Sequence, residues 1–180
     1  MNWKQVQSPF SEKTVRELRA GEGVLISGIL YTARDKAHER LCALIAQEKA
    51  LPFDLFGQVL YYAGPSPAPP GKISGSAGPT TSSRMDAFSE IILPSGIKGM
   101  IGKGKRDEKT KNLIKKIEVP YLSAFGGAGA YLGSRITSSE IVAFEDLGPE
   151  AVYEITVSGF PAVVINDIYG EDLYENALRK

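Results

Sequence analysis

Val24-Leu-Ile-Ser-Gly-Ile-Leu-Tyr31 is a short apolar run rich in strand-forming residues, and a helical pattern follows it almost at once. That order constrains the fold more than any other feature. Across residues 35–46 the apolar side chains Ala37, Leu41, Leu44 and Ile45 recur at helical spacing, with Thr32 or Asp35 placed to cap the N-terminus. Leu51-Pro-Phe-Asp54 ends the pattern, and the strand-loop-helix unit then repeats. A strand over residues 58–63 leads into Gly64-Pro-Ser-Pro-Ala-Pro-Pro-Gly71, a stiff proline-rich loop suited to form one wall of a site. A strand at 99–102 leads into a charged helix over 108–116. Residues 120–125 lead into the glycine turn Gly126-Gly-Ala-Gly129 and a helix-like segment at 130–135. Strands at 140–144, 152–157 and 162–167 and a polar helix at 172–178 complete the series. No linker interrupts it, and no repeat of 20–50 residues is present. The pattern predicts one layered α/β domain over residues 1–180, with residues 1–22 as an N-terminal extension available for partner contact. Ligand sites in such folds gather in loops that follow strands.

A hydrophobic content of 43% with 23% charged residues is ordinary for a globular chain, and no apolar run approaches the roughly 20 residues of a membrane span. The start of the chain lacks the apolar core of a signal peptide. With one cysteine, Cys42, no internal disulfide can form, so a cytoplasmic setting is expected. Twenty-one basic residues balance twenty-one acidic ones, which leaves no overall field to draw nucleic acid. One cysteine and one histidine also fall short of the three or four ligands of a self-contained transition-metal site.

The chemistry concentrates in Gly75-Ser-Ala-Gly-Pro-Thr-Thr-Ser-Ser-Arg-Met-Asp86, where four hydroxyl residues, Thr80 to Ser83, lie between a Gly-Pro turn and an arginine. Glycines allow backbone amides to approach a ligand, and Pro79 can sit where the chain enters a helix. A helix N-terminus favours an anion, and Arg84 adds a planar fork suited to a carboxylate. The competing reading is an ordinary capped helix start. Arg34, in Thr32-Ala-Arg-Asp35, opens a helix after a strand in the same way, so two arginines in equivalent places suggest a dicarboxylate; the alternative for Arg34 is an ion pair with Asp35 or Glu39. Lys103, between Gly102 and Gly104, is a third cation open to an anion, unless Lys103, Lys105 and Arg106 form only a solvated basic turn. His38 shares a helical face with Arg34, either to orient it or as a structural residue. Asp54 and Asp86 are candidate acids or acceptors. The run Gly126 to Gly129 lacks a phosphate-loop pattern and points to close backbone packing, while Cys42 falls on an apolar helix position.

Taken together, Thr32-Ala-Arg-Asp-Lys-Ala-His38, Leu51-Pro-Phe-Asp54, Tyr61-Tyr-Ala-Gly-Pro65, the Gly75–Asp86 stretch, Gly99-Met-Ile-Gly-Lys-Gly104 and Glu145-Asp-Leu-Gly148 resemble the beta subunit, or C-terminal domain, of class I iron-sulfur fumarate hydratases and L(+)-tartrate dehydratases. The resemblance covers residues 23–170. It implies a swivelling β/β/α domain and an alpha-subunit partner, in an α2β2 assembly, whose three cysteines hold a [4Fe-4S] cluster with one iron open to substrate. By the same resemblance Arg34 and Arg84 grip the substrate carboxylates, Lys103 contacts substrate, and Thr80 is the catalytic base that moves the carbon-bound proton; no metal is held by this chain. The implied reaction is reversible hydration of fumarate to (S)-malate. L(+)-tartrate dehydration is the near alternative, and a non-catalytic anion-binding or assembly module is the further one.

Overall fold

The computed structural model describes residues 3–179. In chain order its elements are β1 (Lys4–Ser8), α1 (Glu12–Glu17), β2 (Gly23–Thr32), α2 (Asp35–Ala46), β3 (Val59–Tyr61), α3 (Ser89–Ile92), β4 (Gly99–Gly102), α4 (Glu108–Ile117), β5 (Tyr121–Ser123), α5 (Gly129–Gly133), β6 (Ile136–Ala143), β7 (Val152–Asn166) and α6 (Leu173–Leu178), with 3-10 turns at Ser82–Phe88, Leu93–Ser95 and Glu145–Glu150. Strands β2, β3, β4 and β5 run parallel in that order, and β7 pairs antiparallel with both β5 and β2. The sheet therefore closes into a barrel-like ring. β1 extends it alongside the first half of β2, and β6 alongside the first half of β7.

The pairing explains why the strands read as unbroken apolar runs. Successive residues point to opposite faces of a sheet, and here both faces are buried. Val59, Tyr61, Ile101 and Leu122 join one core cluster, whereas Leu60, Met100 and Tyr121 join another that packs against Ala37, Leu41 and Cys42 of α2, Ile92 of α3 and Ile114 of α4. Helices α2 and α4 thus cover one face of the ring: α2 buries Ala37 and Leu41 of its expected stripe together with His38 and Cys42, and the helix read as charged, α4, turns Thr110 and Ile114 inward. Asp107 caps α4, its side chain accepting a hydrogen bond from the Thr110 amide, and Lys115 and Lys116 lie in the last turn where the helix dipole favours positive charge.

Three local expectations change. The strands expected at 152–157 and 162–167 form one strand, because the bend at Gly159 is held on both sides: Ser158 N–H donates to Arg135 O at 2.9 Å and Gly159 N–H to Ser27 Oγ at 3.1 Å. The strand expected from 140 begins at Ile136, whose side chain is buried among the core residues of the first cluster. At the other end of the chain, β1 and α1 belong to the body of the domain, and Val6, Phe10, Val15 and Leu18 are core residues.

Candidate active site

The parallel strands all end at one rim, and main-chain hydrogen bonds carry their pairing beyond the last strand residues. Ala33 N–H donates to Tyr61 O at 3.0 Å, Tyr62 N–H to Ile101 O at 2.8 Å and Ala124 N–H to Gly102 O at 2.8 Å. The Gly-Pro-Thr-Thr-Ser stretch is inserted between the extensions of β3 and β4. Thr80 N–H donates to Tyr62 O at 2.6 Å, Lys103 N–H to Thr80 O at 3.2 Å and Ser82 N–H to Lys103 O at 2.8 Å. Single-residue bridges, Ala63 with Pro79 and Thr81 with Lys103, mark the same inserted segment. Thr80 and Thr81 are therefore held as extended backbone, and Ser82 and Ser83 open a 3-10 turn, so the hydroxyl run is not the first turn of an α-helix. Thr81, at the N-cap of that turn, makes no side-chain cap bond. The hydroxyls are not consumed as caps, and among the described residues Thr80 Oγ1 makes no hydrogen bond to protein.

Arg34 and Arg84 meet on one carboxylate. Asp35, the first residue of α2, lies with Oδ2 3.3 Å from Arg34 Nε and Oδ1 2.8 Å from Arg84 Nε. Glu150, on the 3-10 turn before β7, stands 3.7 Å from Arg34 Nε and accepts a hydrogen bond from the Lys36 amide at 3.1 Å. The ion pair of Arg34 with Asp35 thus exists, but the same carboxylate also collects Arg84 from 49 positions farther along the chain. Such partly solvated pairs add little to stability, roughly 0–1 kcal/mol each. Their effect is to set where two guanidinium forks point.

Lys103 and Thr80 are joined through their main chains, and among the described residues the Lys103 ammonium has no acidic partner. Its stem leans towards Gly126: Lys103 Cδ lies 3.7 Å from where a Cβ on that glycine would sit. The structure thus brings the four expected residues to one rim as two couples, Arg34 with Arg84 and Thr80 with Lys103. No side-chain hydrogen bond or ion pair links the couples among the described residues.

Ser82 is buried and fixes the Lys103 backbone, accepting from Lys103 N–H at 3.0 Å and donating to Tyr121 OH at 2.9 Å, whose own proton goes to Gly104 O at 2.8 Å. Its place depends on Gly102, where a Cβ would lie 2.0 Å from Ser82 Oγ and 2.8 Å from Tyr62 Cδ2. Gly102→Ala is therefore expected to cost about 1–3 kcal/mol of stability by overpacking and to displace Lys103. Thermal unfolding checks the first effect, and an unchanged melting point would contradict it. The glycine turn does pack closely, as its small residues imply: a Cβ on Gly129 would lie 2.2 Å from Ser76 Oγ and 3.1 Å from Gly78 N.

Arg106 overturns the reading of the basic stretch as a solvated turn. Its side chain is 0% exposed, with Nε 2.5 Å from Asp86 Oδ1, and it donates to Ser89 Oγ at 3.1 Å. The guanidinium also lies over the rings of Tyr121 and Tyr62, 5.0 and 5.5 Å from their centroids. Asp86 is thereby a buried anchor for the turn that carries Arg84, not a free acid. Asp54 turns back on its own loop and accepts from the Phe56 amide at 2.8 Å.

His38 is buried, its ring edge-on to Tyr62, with Nδ1 3.2 Å from Arg34 O. A carbonyl only accepts, so Nδ1 carries the proton. Burial lowers its pKa to about 4, with the Arg106 charge acting in the same direction against the Arg34 carbonyl and Asp35. An unfolded histidine titrates near 6.5, so the neutral ring contributes its full stability above that pH and loses it as pH falls towards 4. Wild type is expected to lose about 2–3 kcal/mol more than His38→Gln between pH 7.5 and 4.5. Urea unfolding at both pH values measures this, and equal losses would refute it.

A cluster-binding role does not fit this chain. Cys42 is buried on α2 with its thiol pushed up to about 11 by desolvation, far from a reactive thiolate. The described residues contain no group of three or more His, Cys, Asp or Glu able to hold a metal ion. No helix among them is long and apolar enough to cross a membrane.

The family described as Fumarase C-terminus matches residues 3–177, and the chain belongs to that family. A Methanocaldococcus jannaschii protein carrying the provisional name L(+)-tartrate dehydratase subunit beta is 36% identical over 177 residues, covering 95% of this chain and 91% of that protein. The anaerobic class I fumarate hydratase of Escherichia coli K12 is 36% identical over 157 residues, and fumarate hydratase 1 of Leishmania major, a mitochondrial protein, is 38% identical over 152. These matches cover 86% and 83% of this chain but 29% and 28% of the longer proteins. The chain thus spans most of the length of the relative named a subunit beta and less than a third of the two longer ones.

Proposed function

We propose that this chain is the beta subunit of a hydro-lyase that reversibly hydrates fumarate to (S)-malate, working only against a cluster-bearing alpha subunit. The observation that carries this reading is the pair Arg34 and Arg84, brought onto one carboxylate at the rim where the parallel strands end. Two forks of fixed spacing suit a substrate with a carboxylate at each end. We assign the [4Fe-4S] cluster to the partner, because Cys42 is the one cysteine here and it is buried, with its thiol held protonated. We read the closed ring and its flanking helices as the swivelling β/β/α domain that the family resemblance implies, seated in an α2β2 assembly in the cytoplasm.

In the dehydration direction the chain's own residues have three tasks. Arg34 and Arg84 hold the two carboxylates and fix the four-carbon skeleton. Thr80, whose hydroxyl makes no hydrogen bond to protein among the described residues, takes the proton from the carbon next to one carboxylate. As that proton leaves, negative charge gathers on the adjoining carboxylate, where Lys103 with the nearer arginine stabilises it. The double bond then forms as the C–O bond on the neighbouring carbon breaks, and the partner's cluster, when bound, would supply the Lewis acid for the departing hydroxyl. A threonine is a weak base unless its anion is favoured; the Lys103 cation, joined to Thr80 through the main chain and without an acidic partner among the described residues, supplies that bias once the partner excludes water.

L(+)-tartrate dehydration is the second reading, favoured by the subunit-length relative from Methanocaldococcus jannaschii. An anaerobic assay on (S)-malate and L-tartrate, with this chain alone and then combined with its cluster-bearing partner, tests the proposal. Turnover only in the mixture supports it, and the faster substrate chooses between the readings. A stable complex inert on both substrates would leave the non-catalytic assembly module in its place.

A further inference from the structure

We infer that Asp35 is the positioning residue that sets the spacing and direction of the two arginines, and thereby the preference for a substrate with two carboxylates. The inference rests on the dicarboxylate reading above and adds a residue to it. Asp35 uses one oxygen for each arginine, and in both cases it approaches Nε: 3.3 Å for Arg34 and 2.8 Å for Arg84. A guanidinium held on its Nε side still presents its two terminal nitrogens as a fork. Among the described residues those terminal nitrogens make no hydrogen bond to protein in either arginine, so both forks stand open while their stems are fixed.

The two arginines depend on Asp35 unequally. Arg34 is also confined by packing, since a Cβ on Gly64 would lie 3.2 Å from its Cδ, and by Glu150 at 3.7 Å. Arg84 sits on a 3-10 turn with its side chain 51% exposed, and Asp35 is its ion-pair partner there. Without Asp35, Arg34 keeps its place while Arg84 is released to solvent and repelled by the charge of Arg34. One carboxylate would still be gripped. The second would not be met at the right distance.

The test is calorimetric titration of the assembled complex with succinate, which has two carboxylates, and with butyrate, which has one. Asp35→Asn, close to isosteric, is expected to weaken succinate by about tenfold or more and butyrate by less than about threefold, with an unchanged melting curve. Asp35→Glu, which keeps the charge but lengthens the reach by a methylene, should show the same split in smaller measure and serves if the Asn variant fails to assemble. Equal weakening of both ligands marks a merely structural residue and overturns the inference, as does no weakening of either. A wild-type complex that binds neither ligand overturns the dicarboxylate reading itself, which separates the two failures.

Discussion

Arg84→Ala is expected to lower kcat/KM of the assembled enzyme by about 10²- to 10⁴-fold while leaving its thermal unfolding in place. The asymmetry follows from where the side chain sits. Its ion pair with Asp35 is half exposed and adds little to folding, and the anchoring of the turn falls to its buried neighbours Ser82 and Met85. In the proposed dicarboxylate site the same guanidinium would make two charge-assisted hydrogen bonds to substrate, each contributing about 1.5–3 kcal/mol. Their loss is felt wherever the carboxylate must be held, most of all as charge gathers on it. Arg84→Lys separates charge from geometry: it keeps the cation and loses the fork, so it should recover only a small part of the lost rate. Turnover of the alanine variant near the wild-type level would remove Arg84 from the site.

Asp86→Ala is expected to reverse that pattern, destabilising the chain by about 3–5 kcal/mol in urea unfolding. Asp86 is the acidic partner of a guanidinium with no solvent exposure, and it also accepts from the Asp107 amide at 2.9 Å. Burial alone would lower the Arg106 pKa, but Tyr62 and Asp86 outweigh it and hold the group above its ordinary value. Removing Asp86 strands a buried charge. The paired change Asp86→Ala with Arg106→Met removes that charge together with its partner and should regain much of the loss. A double variant no more stable than Asp86→Ala would show that the ion pair is not the source of the effect.

The contrast between Arg84 and Arg106 shows what the sequence could reveal. Arg84 and Arg34 declare themselves locally, each following a strand and opening a turn or helix, and local order of that kind is legible. The burial of Arg106 is not local. Tyr62, Ser89 and Tyr121 enclose it from three other stretches of chain, so a run of Lys103, Lys105 and Arg106 reads as solvated until those stretches are brought together. Asp35 is legible as a neighbour of Arg34, and the fold alone adds Arg84 to it. Among the strands, β3 and β4 stand out because both of their faces are buried. β1 does not, since Lys4-Gln-Val-Gln-Ser8 buries only Val6 and Ser8 and otherwise resembles a polar edge. The extended backbone at Thr80 and Thr81 was equally hidden, because its pairing partners, Tyr62 and Lys103, are each about 20 residues away.

In the proposed enzyme this chain supplies the grip on a dicarboxylate, in an active site shared with a cluster-bearing partner. A crystal structure of the assembled complex grown with succinate tests it most directly. One carboxylate is expected on the terminal nitrogens of Arg34, the other on those of Arg84, and Thr80 Oγ1 and Lys103 Nζ facing the carbons between them. Succinate bound away from this rim, or held by the partner alone with both arginines turned to solvent, would contradict it.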